Sequence, residues 1–114
     1  MNLKIPTVED CFQIMKKNFD KELAGELKKK LVAQLIVEGE GGGKWHVIID
    51  NQEIQFLKGE AENPRITITY DSVKSFYQIV LGEIDGVQAY TMGKVKVEGP
   101  RAVLTQYAAI VGIM

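Results

Sequence analysis

The segment from residue 31 to residue 70 limits the fold most, because its apolar residues alternate in short stretches and none follows a helical period. A strand is predicted over 31–38, a hairpin over 44–59 and a further strand over 65–70. Asp50-Asn51 supplies the turn chemistry of the hairpin. Successive strands without intervening helices argue against a doubly wound parallel fold.

A helix is predicted before this strand-rich segment. Pro6 and Thr7 open it, and Thr7 with Asp10 forms a loose capping box. Its apolar residues follow at helical spacing: Val8, Cys11, Phe12, Met15 and Phe19. Since Cys11 lies on this stripe, it is interpreted as a buried structural thiol and not as a nucleophile.

Two helices are predicted after the strand-rich segment. Asp71 is predicted to be the N-cap of the first, and Gly82 is predicted to end it. This helix carries a wide apolar stripe of Val73, Phe76, Tyr77, Val80 and Leu81. A second, short helix is predicted over 85–91.

The stretch MGKVKVEGP, residues 92–100, predicts the last strand and the turn into the last helix. Val95 and Val97 point to one face of this strand, Gly99 permits the change of direction, and Pro100 begins the last helix. The last helix carries Val103, Leu104, Tyr107, Ile110 and Val111. The order of elements predicts one α+β domain over residues 1–114. Its five-stranded, mostly antiparallel sheet is covered on one face by helices.

Composition and charge exclude several classes of protein. Hydrophobic residues make up 46% of the chain and charged residues 25%, a mixture typical of soluble globular domains. The net charge of −1 gives no electrostatic basis for nucleic-acid binding. With one cysteine, no signal-peptide pattern and no apolar run long enough to span a membrane, the expected location is cytoplasmic.

Residues for catalysis or metal binding are scarce. His46 is the only histidine, and it lies in a predicted strand on the face opposite Val47. No Cys/His cluster supports a metal site, and Gly41-Gly42-Gly43 lacks the GKS/T ending of a phosphate loop. The sequence predicts no enzyme activity, no metal and no cofactor; an enzyme that uses Cys11 or His46 is the remote alternative.

The helices of the C-terminal half are unusually apolar, and this feature has two interpretations. These side chains either fill an ordinary core or enclose a space for an apolar ligand. The order of features from about residue 28 to 111 resembles a sterol carrier protein 2 domain. The most specific part is QAYTMGKVKVEG, residues 88–99, where Thr91 replaces the second member of an aromatic pair.

The resemblance implies a hydrophobic tunnel between sheet and helices. It also implies carriage of a fatty acid, fatty acyl-CoA, phospholipid or sterol-like lipid without chemical change. Eight positions match the ligand-lining elements of the family: Phe76, Val80, Ile84, Tyr90, Val95, Val97, Leu104 and Tyr107. Transient contact with a membrane is compatible with such a carrier. The alternative is a dimerisation or accessory module, as a homodimer or assisting a lipid- or isoprenoid-related enzyme.

Overall fold

A computed structural model describes residues 5–113 and contains a mixed five-stranded sheet. The strands are β1 (Leu31–Val37), β2 (Gly43–Asp50), β3 (Glu53–Lys58), β4 (Ile66–Tyr70) and β5 (Val95–Glu98). Their spatial order is β3-β2-β1-β4-β5. The β1–β4 pairing at the centre is parallel, and the other three pairings are antiparallel. The predicted α+β class and mostly antiparallel sheet are therefore confirmed.

Helices cover one face of this sheet, as the sequence predicts. They are α1 (Val8–Asn18), α2 (Lys21–Ala24), α3 (Val73–Val80), α4 (Gly86–Thr91) and α5 (Arg101–Val111). The four-residue α2 is absent from the sequence prediction, because one turn is too short to show an apolar period. Asp20 caps α2 by accepting a 3.0 Å hydrogen bond from the Leu23 amide. None of the helices in the described range 5–113 combines the length and apolarity that crossing a membrane requires.

The helix caps confirm one prediction and correct another. The capping box of α1 is present, because Thr7 and Asp10 exchange backbone-to-side-chain hydrogen bonds. The N-cap of α3 is Ser72 and not Asp71, since the Ser72 hydroxyl accepts from the Ser75 amide at 3.0 Å. Asp71 instead accepts hydrogen bonds from the hydroxyls of Ser72 and Ser75. A carboxylate one residue before the helix therefore supports the cap without forming it.

The sheet has a buried face and a partly open one. Alternate residues, such as Ala33 and Leu35 of β1 and Val47 of β2, are fully buried beneath the helices. The opposite side, called here the outer face, carries half-buried Val32, Ile36, Ile48 and His46, the half-buried threonines of β4, and the exposed Leu57. Burial thus follows the period of two that the sequence shows.

Gln34 is the exception on the outer face, because it is buried. Its amide nitrogen donates to the carbonyl oxygens of Trp45 at 3.0 Å and Gly59 at 3.3 Å. Its amide oxygen accepts from the Ala61 backbone at 2.8 Å. One side chain of the central strand thereby holds the β3–β4 connection against the outer face.

The chain turns sharply between β5 and α5. Gly99 adopts a φ of +118°, and a Cβ there would lie 2.6 Å from the Arg65 carbonyl oxygen. Only glycine fits this turn without strain. Pro100 is the N-cap residue and α5 begins at Arg101, one residue later than the sequence predicts.

Candidate functional site in the helix–sheet interior

Aromatic rings fill the interior beside α1. Phe12 of α1 stacks on Phe56 at 4.4 Å and contacts Trp45 and Phe76 edge-on at 5.8 and 6.1 Å. Phe76 of α3 in turn meets Tyr70 of β4 at 4.7 Å. The contacts join α1, α3 and three strands into one packed cluster.

Seven of the eight predicted ligand-lining residues belong to the apolar core. Four are buried: Phe76, Val80, Val95 and Tyr107. Three are half-buried and pack against that core: Ile84, Val97 and Leu104. They come from the α3–α4 connection, β5 and α5, and are called here the rim residues.

Tyr90 is the eighth predicted residue, and it lies on the surface. It is 59% exposed on α4, while its neighbour Ala89 is buried. The same helix exposes Val87 and the following turn exposes Met92. One side of α4 is therefore apolar and open to solvent.

Two surface pockets of the described residues lie away from these positions. A groove of about 250 Å³ runs between the α2–β1 connection and the β2–β3 turn, from Leu27 to Gln52. A second, of about 210 Å³, lies beside the same turn. Neither contains any of the eight predicted residues. The tunnel that the resemblance implies stays a prediction, and so does the assignment of the eight residues.

The interior also contains a hydroxyl group without a partner. Tyr107 of α5 is fully buried, and its hydroxyl makes no hydrogen bond with any described residue. Burial raises the pKa of Tyr107 well above its usual value, and the nearby Tyr70 phenol raises it further. Burial likewise raises the pKa of Tyr70, with a smaller contribution from Cys11. Two phenols and one thiol are therefore buried in the same core.

The two residues of the remote enzyme hypothesis do not meet. Cys11 is fully buried beneath the helices, where desolvation and then the Asp10 carboxylate raise its pKa to about 11. A thiolate, the reactive form, is disfavoured there. His46 lies on the outer face, where its Nδ1 is 3.0 Å from the Gly59 carbonyl oxygen. The sheet separates the two side chains.

Sequence reasoning missed the polar character of this interior. Tyr70 and Tyr107 occupy apolar positions of a strand and a helix. Such positions predict a buried core residue and reveal nothing about the hydroxyl group. Whether a buried hydroxyl has a partner depends on atoms from other elements, so no local pattern reveals it. The cysteine was correctly predicted to be buried, because it lies on the apolar stripe of α1.

The fold and the covered apolar interior define an α+β domain of the sterol-carrier type. Residues 12–112 match the family model of the SCP-2 sterol transfer family. The chain belongs to this family, as the resemblance predicts. No curated protein sequence matches the chain.

Solved structures of low sequence identity share the fold. The palmitated SCP2L2 of Aedes aegypti has a TM-score of 0.69 at 20% identity, covering 93% of this chain and 95% of that one. The apo sterol carrier protein 2 of Yarrowia lipolytica has a TM-score of 0.63 at 23% identity, covering 99% and 94%.

A third similar structure is part of a much larger protein. The sec-alkylsulfatase Pisa1 of Pseudomonas sp. gives a TM-score of 0.77 at 16% identity over 92% of this chain. This chain spans only 16% of the sulfatase. The same fold therefore occurs as a small chain and as one part of a longer one.

Proposed function

We propose that the protein binds a single lipid chain between helices and sheet and carries it without chemical change. The observation that carries this proposal is the family match over residues 12–112. The fatty-acid-loaded Aedes aegypti relative supports a fatty acid or another long-chain lipid as the ligand class. The apolar core, to which seven of the eight predicted residues belong, supplies the chemistry that such a chain needs.

The energy of transfer is sufficient for binding. Each buried methylene contributes about 0.8 kcal/mol, so a long acyl chain contributes on the order of 10 kcal/mol before costs. Association and ordering remove a large part of this, and about micromolar affinity remains.

Entry of a chain requires side chains to move. The rim residues Ile84, Val97 and Leu104 are half-buried, whereas Phe76, Val80, Val95 and Tyr107 are buried. Displacing a rim side chain exchanges contacts with protein for contacts with lipid. We therefore place the entrance at the rim residues, which lie on the α3–α4 connection, β5 and α5.

Ligand displacement on matched variants tests the proposal. Native mass spectrometry of protein purified from cells should show a co-purified lipid, and a fluorescent fatty acid should bind and be displaced by palmitate. Leu104→Trp should weaken uptake at least tenfold, because a larger side chain blocks the rim. Leu57→Trp is the control, since Leu57 is 42% exposed on the outer face.

Two outcomes would contradict the proposal. If no lipid co-purifies and the fluorescent fatty acid does not bind, the protein is not a carrier. If Leu104→Trp and Leu57→Trp bind the fatty acid as the unmodified protein does, the entrance lies elsewhere. Thermal unfolding of both variants shows whether each remains folded.

An accessory or dimerisation module is the second candidate. The sulfatase similarity supports it, because there the fold is one part of a larger enzyme. The outer face, with apolar side chains that no helix of the described chain covers, is the surface such a module would use. Light scattering that shows a tight dimer, together with no lipid binding, would favour this function over carriage.

A further inference from the structure

We propose that the Tyr107 hydroxyl binds the polar end of an uncharged lipid, such as a lipid alcohol, inside the core. This inference rests on the proposed function and extends it, because it gives the class of head group and the direction in which the lipid lies.

The Tyr107 hydroxyl is an unsatisfied polar group in the core. Leaving a buried polar group without a hydrogen bond is destabilising, and most such groups in proteins have a partner. The Tyr107 hydroxyl is enclosed and has none among the described residues. A ligand oxygen placed beside it would recover this cost, whereas a hydrocarbon would not.

The described interior offers no partner for a charged head group. Gln34 and Ser75 are the buried polar or charged residues of the described chain, and both side chains already have hydrogen-bond partners. No lysine, arginine or histidine of the described range is buried to neutralise an anion. Taking a carboxylate or phosphate into this interior would leave a charge without a counterion. The head group that fits is therefore polar and uncharged.

The position of Tyr107 on α5 gives the direction of the bound lipid. Leu104, a rim residue, precedes Tyr107 by three residues on α5, which is about 4.5 Å along the helix. The two side chains thus lead from the half-buried rim to the buried phenol of Tyr107. A lipid bound with its hydroxyl at Tyr107 has its tail directed toward the rim.

The test measures the binding of two lipids, hexadecanol and palmitate, to a variant that lacks the Tyr107 hydroxyl. Tyr107→Phe removes a single oxygen from a buried ring. Displacement of a fluorescent fatty acid should show that hexadecanol binds this variant about fivefold more weakly than the unmodified protein. Palmitate is charged at pH 7 and keeps its carboxylate in solvent, so its affinity should fall by a smaller factor than that of hexadecanol. Tyr77→Phe is the matched control, since Tyr77 is half-buried on α3 and its hydroxyl is not a buried unpaired atom.

Lipid-free Tyr107→Phe should be at least as stable to urea as the unmodified protein, since it loses an unpaired polar atom. Lower stability would mean that the hydroxyl already has a partner, such as an ordered water, and would overturn the inference. Equal effects on hexadecanol and palmitate, or no effect on hexadecanol, would also overturn it while leaving carriage intact. Failure of the unmodified protein to bind either lipid would instead remove the proposed function itself.

Discussion

Gly99 shows how a single residue determines the path of the chain. Its φ of +118° is a conformation that other residues rarely adopt, and the Arg65 carbonyl oxygen occupies the space of a side chain. Gly93, at the other end of the same strand, has a φ of +77° but no heavy atom within 4 Å of a Cβ. Gly99 is therefore needed both for its positive φ and for the absence of a side chain, whereas Gly93 is needed for its positive φ alone.

Gly99→Ala should lower the free energy of unfolding by about 3 kcal/mol or more, because backbone strain and a clash with the Arg65 carbonyl add together. Gly93→Ala should cost only about 1 kcal/mol, the penalty of the left-handed conformation alone. Urea denaturation of both variants measures the difference. Equal losses would mean that the close approach at Gly99 is relieved by a small movement.

Cys11 should make stability fall at alkaline pH. Its pKa is about 11 in the folded protein and near 9 when unfolded, so the folded state holds the proton more tightly. This contribution is complete below pH 9 and disappears as the pH rises toward 11. Between pH 8 and 10 the loss is about 1 kcal/mol.

The measurement is urea denaturation at pH 8 and pH 10 for the unmodified protein and Cys11→Ala. The variant keeps the tyrosines, so the difference between the two pH dependences isolates the thiol. An unchanged slope in Cys11→Ala would show that other groups cause the alkaline effect.

At the scale of elements, the sequence predicted what local chemistry determines. The alternation of Ile66, Ile68 and Tyr70 predicted β4, and the capping box predicted the start of α1. The sequence could not show that Ser72, and not Asp71, is the N-cap of α3. The two residues are adjacent, and both types are favoured at this position. Gln34 could not be predicted either, because its three partners lie 11 to 27 residues away in the chain.

Gln34→Leu should lower the free energy of unfolding by about 2–3 kcal/mol, since it removes the partners of Trp45, Gly59 and Ala61. The β3–β4 connection should be destabilised more than the domain as a whole. Hydrogen exchange of the Ala61 amide should become faster than that of the amides within β1. Gln55→Leu is the control, because Gln55 is exposed on β3. If the Ala61 amide exchanges at the same rate in Gln34→Leu as in the unmodified protein, other contacts hold the β3–β4 connection.

At the scale of the whole molecule, the candidate site is the part that the sequence predicted least. Helix–sheet layering follows from apolar periods of 3.6 and 2, so the positions of Val80, Val95 and Tyr107 beneath the helices could be anticipated. Whether such residues surround free volume depends on how side chains from five helices and five strands fit together. No stretch of sequence contains that information.

Lipid binding should raise the melting temperature of the molecule. A ligand that binds only the folded state at 100 times its Kd adds about 2.7 kcal/mol. For a chain of this length the shift is about 10 °C. Calorimetry of delipidated protein with increasing palmitate measures it, and Leu104→Trp should show a much smaller shift. A melting temperature independent of palmitate would contradict carriage.

The parallel pairing of β1 with β4 also has a consequence for biosynthesis. β1 is completed at Val37, but its neighbour on one side begins at Ile66, after the hairpin of β2 and β3 has been made. In a nascent chain that ends near residue 60, the edge of β1 that later pairs with β4 is therefore unpaired. Unpaired strand edges can pair with other chains. Ribosomal pausing in the β3–β4 connection would therefore favour aggregation of the nascent chain.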